Sequence, residues 1–415
     1  MRIIKKMNTK STNIPQSSKT QKSSNNTAFA VLLALGLSHL FNDTLQSVIT
    51  AVYPLLKDSL LLSFSQIGMI TLVFQLSSSV FQPLIGLYTD KKPQPYSLPI
   101  GMCFTMAGIF LLSLAGSFEA VLVAVMFTGM GSAIFHPEAS RLAYMAAGGR
   151  PGTAQSLFQV GGNIGSSLGP LLAAVFISPY GQGNIKWLCG ISIVAIMLML
   201  RISIWYKNNL HRLKPKSEII KEKKDIGLSA GRIKFILTIL LILIFSKYFY
   251  MASITSYYTF FLIDKFGVST QDSQMYLFAF LFAVACGTLI GGPVGDKIGR
   301  KYVIWISILG AAPFALMMPY ANLFWTCVLS IIIGFILASA FSAILVYAQE
   351  LLPGKVGLVA GLFFGLAFGI AGIGSALMGK LADMTSIAYV YQVCAFLPLI
   401  GVCAAFLPNF KKVHK

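Results

Sequence analysis

Apolar runs of about 20 residues, enough for a helix to cross roughly 30 Å of hydrocarbon, alternate with short polar loops along almost the whole chain. This pattern predicts an all-α integral membrane protein with twelve transmembrane helices. The predicted spans lie near residues 28–52, 65–88, 98–115, 121–143, 153–177, 187–206, 233–261, 275–294, 302–320, 324–349, 358–379 and 387–407.

A basic polar segment, 207–232, interrupts the spans after the sixth. It divides the chain into a six-helix bundle over 28–206 and a second bundle over 233–407, and is itself predicted to be a cytoplasmic linker. The N-terminal tail, 1–27, is rich in Ser, Thr, Asn and Lys, and we predict that it is disordered and cytoplasmic. Residues 408–415 form a second cytoplasmic tail.

The composition excludes an ordinary soluble domain. The 415 residues are 56% hydrophobic and 11% charged, whereas soluble domains average roughly 25% charged residues. The net charge of +19 comes from lysines and arginines in alternate loops, in the middle segment and in the tails. Because positive loops stay on the cytoplasmic side, we predict cytoplasmic termini, with the lipid bilayer rather than nucleic acid as the partner of these basic residues.

The same sequence pattern occurs in two loops that are separated by about half the length of the chain. GLYTDKK at 86–92 and GGPVGDKIGRK at 291–301 each place a Gly-rich helix end before an Asp and a basic turn. A repeat at this spacing is typical of a duplicated body whose halves use the same loop for the same mechanical job. The repeat therefore predicts a secondary transporter for a small molecule.

Ionisable residues inside the predicted spans are few, and each indicates function because a charge in hydrocarbon is costly. Nearly all of them fall on spans one, four, seven and ten, the first helices of four successive three-helix units. We therefore expect these four helices to line one wet cavity. The residues are His39, Asp43, His136, Glu138, Lys247 and Glu350.

Depth along the helices separates their predicted roles. At a rise of ~1.5 Å per residue, Asp43 and Lys247 both lie about 20 Å from the cytoplasmic ends of their spans, which makes an ion pair across the cavity plausible. Glu138, Arg141 and Glu350 lie near the cytoplasmic mouth, so we predict that they act in a gate.

The polar residues of span one, His39, Asn42, Asp43 and Gln46, lie on one helical stripe. We predict a proton and substrate site here, because burial favours the uncharged carboxyl and lets Asp43 exchange protons near neutral pH. A polar seam bonded to neighbouring helices is the alternative.

Span seven offers two further candidates for the cavity wall. Lys247 is either a structural partner of Asp43 or a direct substrate contact, and Tyr250 on the same helix adds a hydroxyl.

Span five carries a second polar stripe among small residues, which favours close helix packing over substrate contact. Its polar residues are Gln155, Gln159, Asn163 and Ser166. We retain Gln159 and Asn163 as candidate substrate contacts.

The chain has neither a phosphate-binding ATPase loop nor a paired nucleophile and base. We therefore expect no enzyme activity, no cofactor and no metal, and transport driven by a proton gradient or by the solute's own gradient.

Several of these segments resemble the major facilitator superfamily. GGPVGDKIGRK is similar to its cytoplasmic loop signature, and HPEASR at 136–141 is similar to its acidic–basic motif at the end of helix four, with a partial copy in QELLP at 349–353. Within the superfamily, stretches such as 38–57 and 155–174 resemble a bacterial subfamily of fosmidomycin exporters.

This resemblance implies two pseudo-symmetric six-helix bundles, alternating access and proton-driven export of a phosphonate antibiotic by a monomer in the bacterial inner membrane. It also implies two conformational latches, formed by Gly86, Asp90, Lys91, Glu138 and Arg141 in the first half and by Gly292, Asp296, Gly299, Arg300 and Glu350 in the second. The first loop departs from the pattern at Pro93 and Gln94, so its latch is expected to be weaker.

The direction of transport stays open at this point. No residue reports the sign of coupling, so a proton-coupled uptake symporter for an organic anion or a phosphorylated metabolite is the alternative. A receptor or scaffold that uses the basic tails would leave the buried Asp43, Glu138 and Lys247 without a purpose.

Overall fold

The computed structural model describes residues 28–147, 151–210, 228–352 and 356–408. Helices make up nearly all of these residues, and no strand occurs among them, so the predicted all-α class is confirmed. The predicted disordered tail, most of the linker and most of the C-terminal tail lie outside the described residues.

Every predicted span corresponds to a helix, and we number these helices α1 to α12. Those of the first half are α1 (Phe29–Ala51), α2 (Phe64–Lys91), α3 (Ser97–Leu114), α4 (Phe118–Ala146), α5 (Pro151–Leu172, extended by a π-helical stretch Ala173–Ile177 and the turn Ser178–Tyr180) and α6 (a 3₁₀ stretch Gln182–Leu188 followed by Cys189–Asn208). A short helix, Tyr53–Leu60, connects α1 to α2.

The helices of the second half are more often interrupted. They are α7 (Ala230–Phe266), α8 (Thr270–Ile298), α9 (Arg300–Leu309, continued by Ala312–Met317 and Met318–Tyr320), α10 (Leu323–Ala338 and Ala340–Leu351), α11 (Val356–Met384) and α12 (Ile387–Cys394 and a 3₁₀ stretch Leu397–Phe406).

Eleven helices among the described residues are long and apolar enough to cross a membrane, and they correspond to α2 through α12. The remaining predicted span, α1, is also a continuous helix of 23 residues. Its polar stripe, which includes His39, Asn42 and Asp43, lowers its hydropathy. The most polar span is therefore the one that carries the candidate site, and its polar face is buried within the protein.

Glycines let α1 and α5 approach closely in the first half. A side chain at Gly161 would collide with the carbonyl oxygen of Gly36 on α1, so this small-residue face of α5 serves helix packing as its spacing predicts.

The two halves meet along two helix pairs, α2 with α11 and α5 with α8. At Gly68 of α2, an added Cβ would lie 2.7 Å from the carbonyl oxygen of Ser375 on α11. This separation is too short for any larger residue to keep the same packing. The α2–α11 contact is therefore one of backbone on backbone.

One end of this interface carries a hydrogen-bonded clamp. Asp383 of α11 accepts hydrogen bonds from the backbone N–H groups of Phe64 (2.9 Å) and Ser65 (2.7 Å) at the start of α2. The hydroxyl of Tyr257 on α7 donates to the carbonyl oxygen of Ser375 (2.7 Å) nearby. Because a carboxylate at a helix N-terminus satisfies otherwise free N–H groups, Asp383 holds the halves together at the end opposite the chain's N-terminus.

We predict that Asp383→Ala weakens this closure. Losing about 1 kcal/mol from partly solvated bonds to a carboxylate raises the fraction of molecules open at this end roughly fivefold. The measurement is the rate at which an impermeant maleimide labels Ser166→Cys in a background without native cysteines. Asp58→Ala is the matched control, since Asp58 is an exposed acid at the same end. Equal labelling rates for the two variants would contradict the clamp.

Candidate functional site

A cavity of about 160 Å³ lies between the two halves. All four helices that were expected to carry buried charge contribute to its wall, together with α5, α8 and α11. The lining residues are His39, Asp43, His136, Gln159, Asn163, Ser166, Lys247, Tyr248, Met251, Val284, Thr288, Ala338, Phe341, Phe364 and Phe368.

Asp43 lies between two histidines from different helices. Its Oδ2 is 3.2 Å from Nε2 of His39, one turn earlier on α1, and its Oδ1 is 3.5 Å from Nε2 of His136 on α4. The side-chain amide of Asn42 donates to Oδ1 at 3.1 Å. The carboxylate is 18% exposed, so it faces the cavity while its partners hold it in place.

The opposite nitrogen of each ring is bound to the main chain. Nδ1 of His39 donates to the carbonyl oxygen of Phe158 at 2.8 Å, and the His39 ring stacks on the Phe158 ring with centroids 4.0 Å apart. Nδ1 of His136 lies 3.0 Å from the carbonyl oxygen of Ser132 and 3.1 Å from its Oγ. A carbonyl oxygen can only accept, so Nδ1 of His39 carries the hydrogen, whereas Nδ1 of His136 can donate to the carbonyl oxygen or accept from the hydroxyl. In both rings, Nε2 is the atom that faces Asp43.

Lys247 enters the cavity wall from α7 in the second half. It is 5% exposed, and its Nζ lies 5.5 Å from the ring centroid of Tyr248 and 5.6 Å from that of Phe341. Within the described part of the chain, the ion pairs formed involve Asp43 and Glu138 but not Lys247. The predicted Asp43–Lys247 pair is therefore not formed here, because the two histidines occupy the carboxylate.

Asn163 and Gln159 of α5 both line the cavity. The amide of Asn163 donates to Oγ1 of Thr288 on α8 at 2.7 Å, which connects the two halves beside the cavity. The polar stripe of α5 therefore faces the cavity, while its glycines pack against α1.

Glu138 and Arg141 form a cluster that does not line the cavity. Glu138 is fully buried, and its Oε2 accepts from Arg141 at 2.8 Å and from Ser97 at 3.2 Å. Arg141 also donates to the Tyr206 hydroxyl and to the carbonyl oxygen of Thr89 at 2.9 Å. Since Thr89 lies in the first repeated loop motif, immediately before Asp90, Arg141 ties α4 to the end of α2.

Two other candidates, Gln46 and Tyr250, are placed away from the lining residues. The Tyr250 side chain is instead buried within the second half.

The structure locates the backbone, but not the side chains, of several latch candidates. Gly299 has a φ of +99° and immediately precedes Arg300, the first residue of α9. Gly86 lies on α2 where that helix passes Pro137. The side chains of Asp90, Lys91, Asp296 and Glu350 and the surroundings of Gly292 lie outside the described residues, so their role as latches stays a prediction.

The aromatic part of the cavity wall was not predicted from the sequence. Tyr248, Phe341, Phe364 and Phe368 line the cavity, and the ring of His136 lies edge-on to that of Phe368 with centroids 5.5 Å apart. In an apolar span, a cavity-facing Phe has the same local sequence as a lipid-facing one. Of these four residues, Tyr248 alone could have been suspected from the sequence, because it is adjacent to the candidate residue Lys247.

The predicted absence of a metal stays a prediction. Among the described residues, the donor atoms of His39, Asp43 and His136 lie within 4.8 Å of one another.

Comparison with known proteins places this site in a family context. The family model of the Major Facilitator Superfamily matches residues 35–285 and 239–414. The chain is 63% identical over 385 residues to the fosmidomycin resistance protein of Escherichia coli (strain K12), covering 92% of this chain and 94% of that one. It is 41% identical over 401 residues to the MFS-type transporter YfnC of Bacillus subtilis (strain 168), covering 97% and 98%.

Solved structures share the fold at low sequence identity. The nucleoside transporter NupG matches with a TM-score of 0.67 at 16% identity, over 90% of this chain and 98% of that one. The Escherichia coli fucose:proton symporter FucP matches with a TM-score of 0.64 at 14% identity, over 91% and 98%.

We predict that Arg141→Ala strongly destabilises the protein, because it leaves the buried Glu138 carboxylate without its charged partner. Breaking a buried pair in this way costs about 3–5 kcal/mol, to be measured as a fall in the thermal unfolding midpoint of the purified protein. The double variant Arg141→Ala/Glu138→Gln removes the stranded charge and should be more stable than Arg141→Ala alone. A double variant that is no more stable would show that the loss arises elsewhere.

Proposed function

The chain belongs to the Major Facilitator Superfamily and is a multi-pass secondary transporter rather than an enzyme, and from this premise we propose that it exports fosmidomycin-like phosphonates in exchange for protons by alternating access. The observation that carries the proposal is a cavity between the two halves that is lined both by Lys247 and by the cluster of His39, Asp43 and His136. The 63% identity of the chain to a fosmidomycin resistance protein supports export as the direction of transport and phosphonates as the substrate class.

Lys247 is the proposed contact for the substrate's acidic group. A buried ammonium is costly unless it is paired, and this one is held among aromatic rings at the cavity wall. An entering phosphonate would supply the opposite charge. Gln159 and Asn163 add polar groups to the same wall, and small-molecule sites commonly combine apolar walls with a few such groups.

The cluster of His39, Asp43 and His136 is the proposed site of proton coupling. Imidazole is the side chain whose charge changes most readily near neutral pH, and here two rings converge on one carboxylate. One proton moving through ~100 mV supplies about 2.3 kcal/mol, and one pH unit adds roughly 1.4 kcal/mol. One-to-one exchange could therefore support concentration ratios of several hundred.

The orientation follows from the distribution of basic loops. We propose a monomer in the bacterial inner membrane with both termini in the cytoplasm. The Asp383 clamp then lies at the external end, and a state closed there opens its cavity to the cytoplasm, where an exporter loads its substrate.

Uptake by symport is a second candidate, because one feature of the site favours it. A cluster with both Nε2 atoms protonated carries one net positive charge, whereas the proton-free cluster carries one net negative charge. Protons would therefore strengthen the binding of an anion beside Lys247, which is the sign that a symporter requires.

We predict that Asp43→Asn abolishes resistance to fosmidomycin in cells that depend on this protein. The amide keeps the size of the carboxylate but loses the charge that the two histidines share. The measurement is growth against fosmidomycin, with equal membrane levels of both proteins confirmed. Resistance equal to that of the wild type would remove Asp43 from the coupling mechanism.

We predict that Lys247→Gln weakens fosmidomycin binding about 10- to 100-fold, the loss of one hydrogen bond between charged groups worth roughly 1.5–3 kcal/mol. Lys247→Arg keeps the charge and should lose less. The dissociation constants are measured on purified protein at a fixed pH. Similar constants for the wild type and Lys247→Gln would place the anion elsewhere.

The pH dependence of the same binding separates export from uptake. Exchange requires protons and substrate to exclude each other, so the dissociation constant of the wild type must rise as pH falls. Symport requires binding to tighten as pH falls. Tighter binding at low pH would therefore overturn the export proposal and favour uptake.

A further inference from the structure

The cluster of His39, Asp43 and His136 has the spacing of a set of metal ligands. Nε2 of His39 lies 3.2 Å and Nε2 of His136 lies 3.5 Å from the carboxylate oxygens of Asp43, and the donor atoms of the three residues all lie within 4.8 Å of one another. Ligands held about 2.0–2.2 Å from a tetrahedral Zn²⁺ are about 3.3–3.5 Å apart. Shifts of less than about 1 Å at each nitrogen therefore bring all three residues to one ion.

Both imidazoles can offer a lone pair to that ion at the same time. Nδ1 of His39 donates its hydrogen to the carbonyl oxygen of Phe158 at 2.8 Å, which leaves the lone pair of Nε2 facing the Asp43 carboxylate. Nδ1 of His136 can donate to the carbonyl oxygen of Ser132 at 3.0 Å, which frees its Nε2 in the same way. Acceptance from the Ser132 hydroxyl at 3.1 Å places the hydrogen on Nε2 instead and belongs to the metal-free cluster.

The outer contacts of the three side chains are those that metal ligands usually have. A ligating histidine generally donates its other ring N–H to a carbonyl oxygen or a carboxylate, and a ligating carboxylate accepts further hydrogen bonds. Here the main-chain carbonyl oxygens of Phe158 and Ser132 face the two Nδ1 atoms, and the amide of Asn42 donates to Oδ1 of Asp43 at 3.1 Å. The ligands are therefore held in place before an ion arrives.

The cluster opens onto the cavity. All three residues line its wall, and the Asp43 side chain is 18% exposed. Three protein ligands that open onto a cavity leave a coordination position for water, as in catalytic zinc sites. Two imidazoles and one carboxylate favour Zn²⁺ and related transition-metal ions over Mg²⁺ and Ca²⁺, which prefer oxygen ligands.

We propose that Nε2 of His39, Nε2 of His136 and the carboxylate of Asp43 bind one divalent transition-metal ion such as Zn²⁺ from the cavity, and that the bound ion blocks transport. The ion is a ligand taken from solution and not a resident cofactor. Binding follows from the geometry alone, whereas the block rests on the proposed proton coupling. A metal ion and a proton compete for the same lone pairs, so bound Zn²⁺ prevents the cluster from exchanging protons.

The test measures Zn²⁺ binding by calorimetry on purified full-length protein without substrate. The protein carries no native cysteines and no polyhistidine tag, so that other strong zinc ligands are removed. His39→Asn, His136→Asn and Asp43→Asn each alter one ligand of the cluster. His211→Asn/His414→Asn is the matched control, because it removes the other two histidines of the chain and leaves the cluster intact. Mg²⁺ is titrated in parallel.

We expect one Zn²⁺ per protein for the parent and for the matched control, with no comparable binding of Mg²⁺. Each cluster variant should bind Zn²⁺ more than about 100-fold more weakly, since loss of an outer partner alone costs roughly 10- to 100-fold. Cluster variants that bind Zn²⁺ as tightly as the parent would overturn the inference, as would equal affinity for Mg²⁺.

The visible absorption of Co²⁺ added to the parent protein decides the question where a variant does not fold. The intense bands of a four-coordinate ion would support the site. The weak bands of six-coordinate aqueous Co²⁺ would contradict it.

Failure of the broader proposal gives a different result. Fosmidomycin transport under an imposed pH gradient is measured in proteoliposomes, with free Zn²⁺ fixed by a metal buffer on both sides. We expect Zn²⁺, but not Mg²⁺, to inhibit the parent and the matched control alike. If the gradient does not drive transport, proton coupling is wrong and the zinc site stands on its calorimetry. If the gradient drives transport while Zn²⁺ neither binds nor inhibits, coupling stands and the metal site fails.

Discussion

The cost of an ionised group in hydrocarbon determines where this chain can place chemistry. Outside a water-accessible cavity, each charge needs a partner and each polar backbone group needs a hydrogen bond. The chain meets this constraint by placing His39, Asp43, His136 and Lys247 at the cavity wall, on helices that face one another across the two halves. The apolar remainder of each helix faces lipid or core.

The same constraint divides the interior charges into two kinds. Glu138 and Arg141 form an ion pair, and Arg141 ties α4 to the end of α2. These two charges therefore stabilise the fold. Asp43 and Lys247 line one cavity without being paired to each other. A pair between them would lower the energy of the empty site and oppose substrate entry, because binding would first have to break it. Because His39 and His136 contact Asp43, Lys247 is available to bind an anion in the proposed mechanism.

The sequence reveals the helices and the charged positions because both depend on local composition. Asp43 and His39 are recognisable from a stripe on one helix, whereas their relation to His136 depends on how α4 is rotated against α1, which no local pattern encodes. That rotation is why the expected Asp43–Lys247 pair is replaced by a pair of histidines. The aromatic wall of Phe341, Phe364 and Phe368 could not be distinguished from ordinary span residues for the same reason.

In the proposed alternating-access cycle, movement between states preserves this arrangement while it changes access to the cavity. Backbone contact at Gly68 holds α2 and α11 close together along a narrow line, and the clamp at Asp383 depends on N–H groups that water can satisfy once it opens. Opening that end therefore exchanges protein hydrogen bonds for water at modest cost. The histidine–carboxylate cluster, in contrast, lies wholly within the first half, on α1 and α4, so the halves can part without separating the histidines from the carboxylate. The proposed substrate contact, Lys247 on α7, belongs to the other half, so it is the part of the site that would change position in the proposed movement.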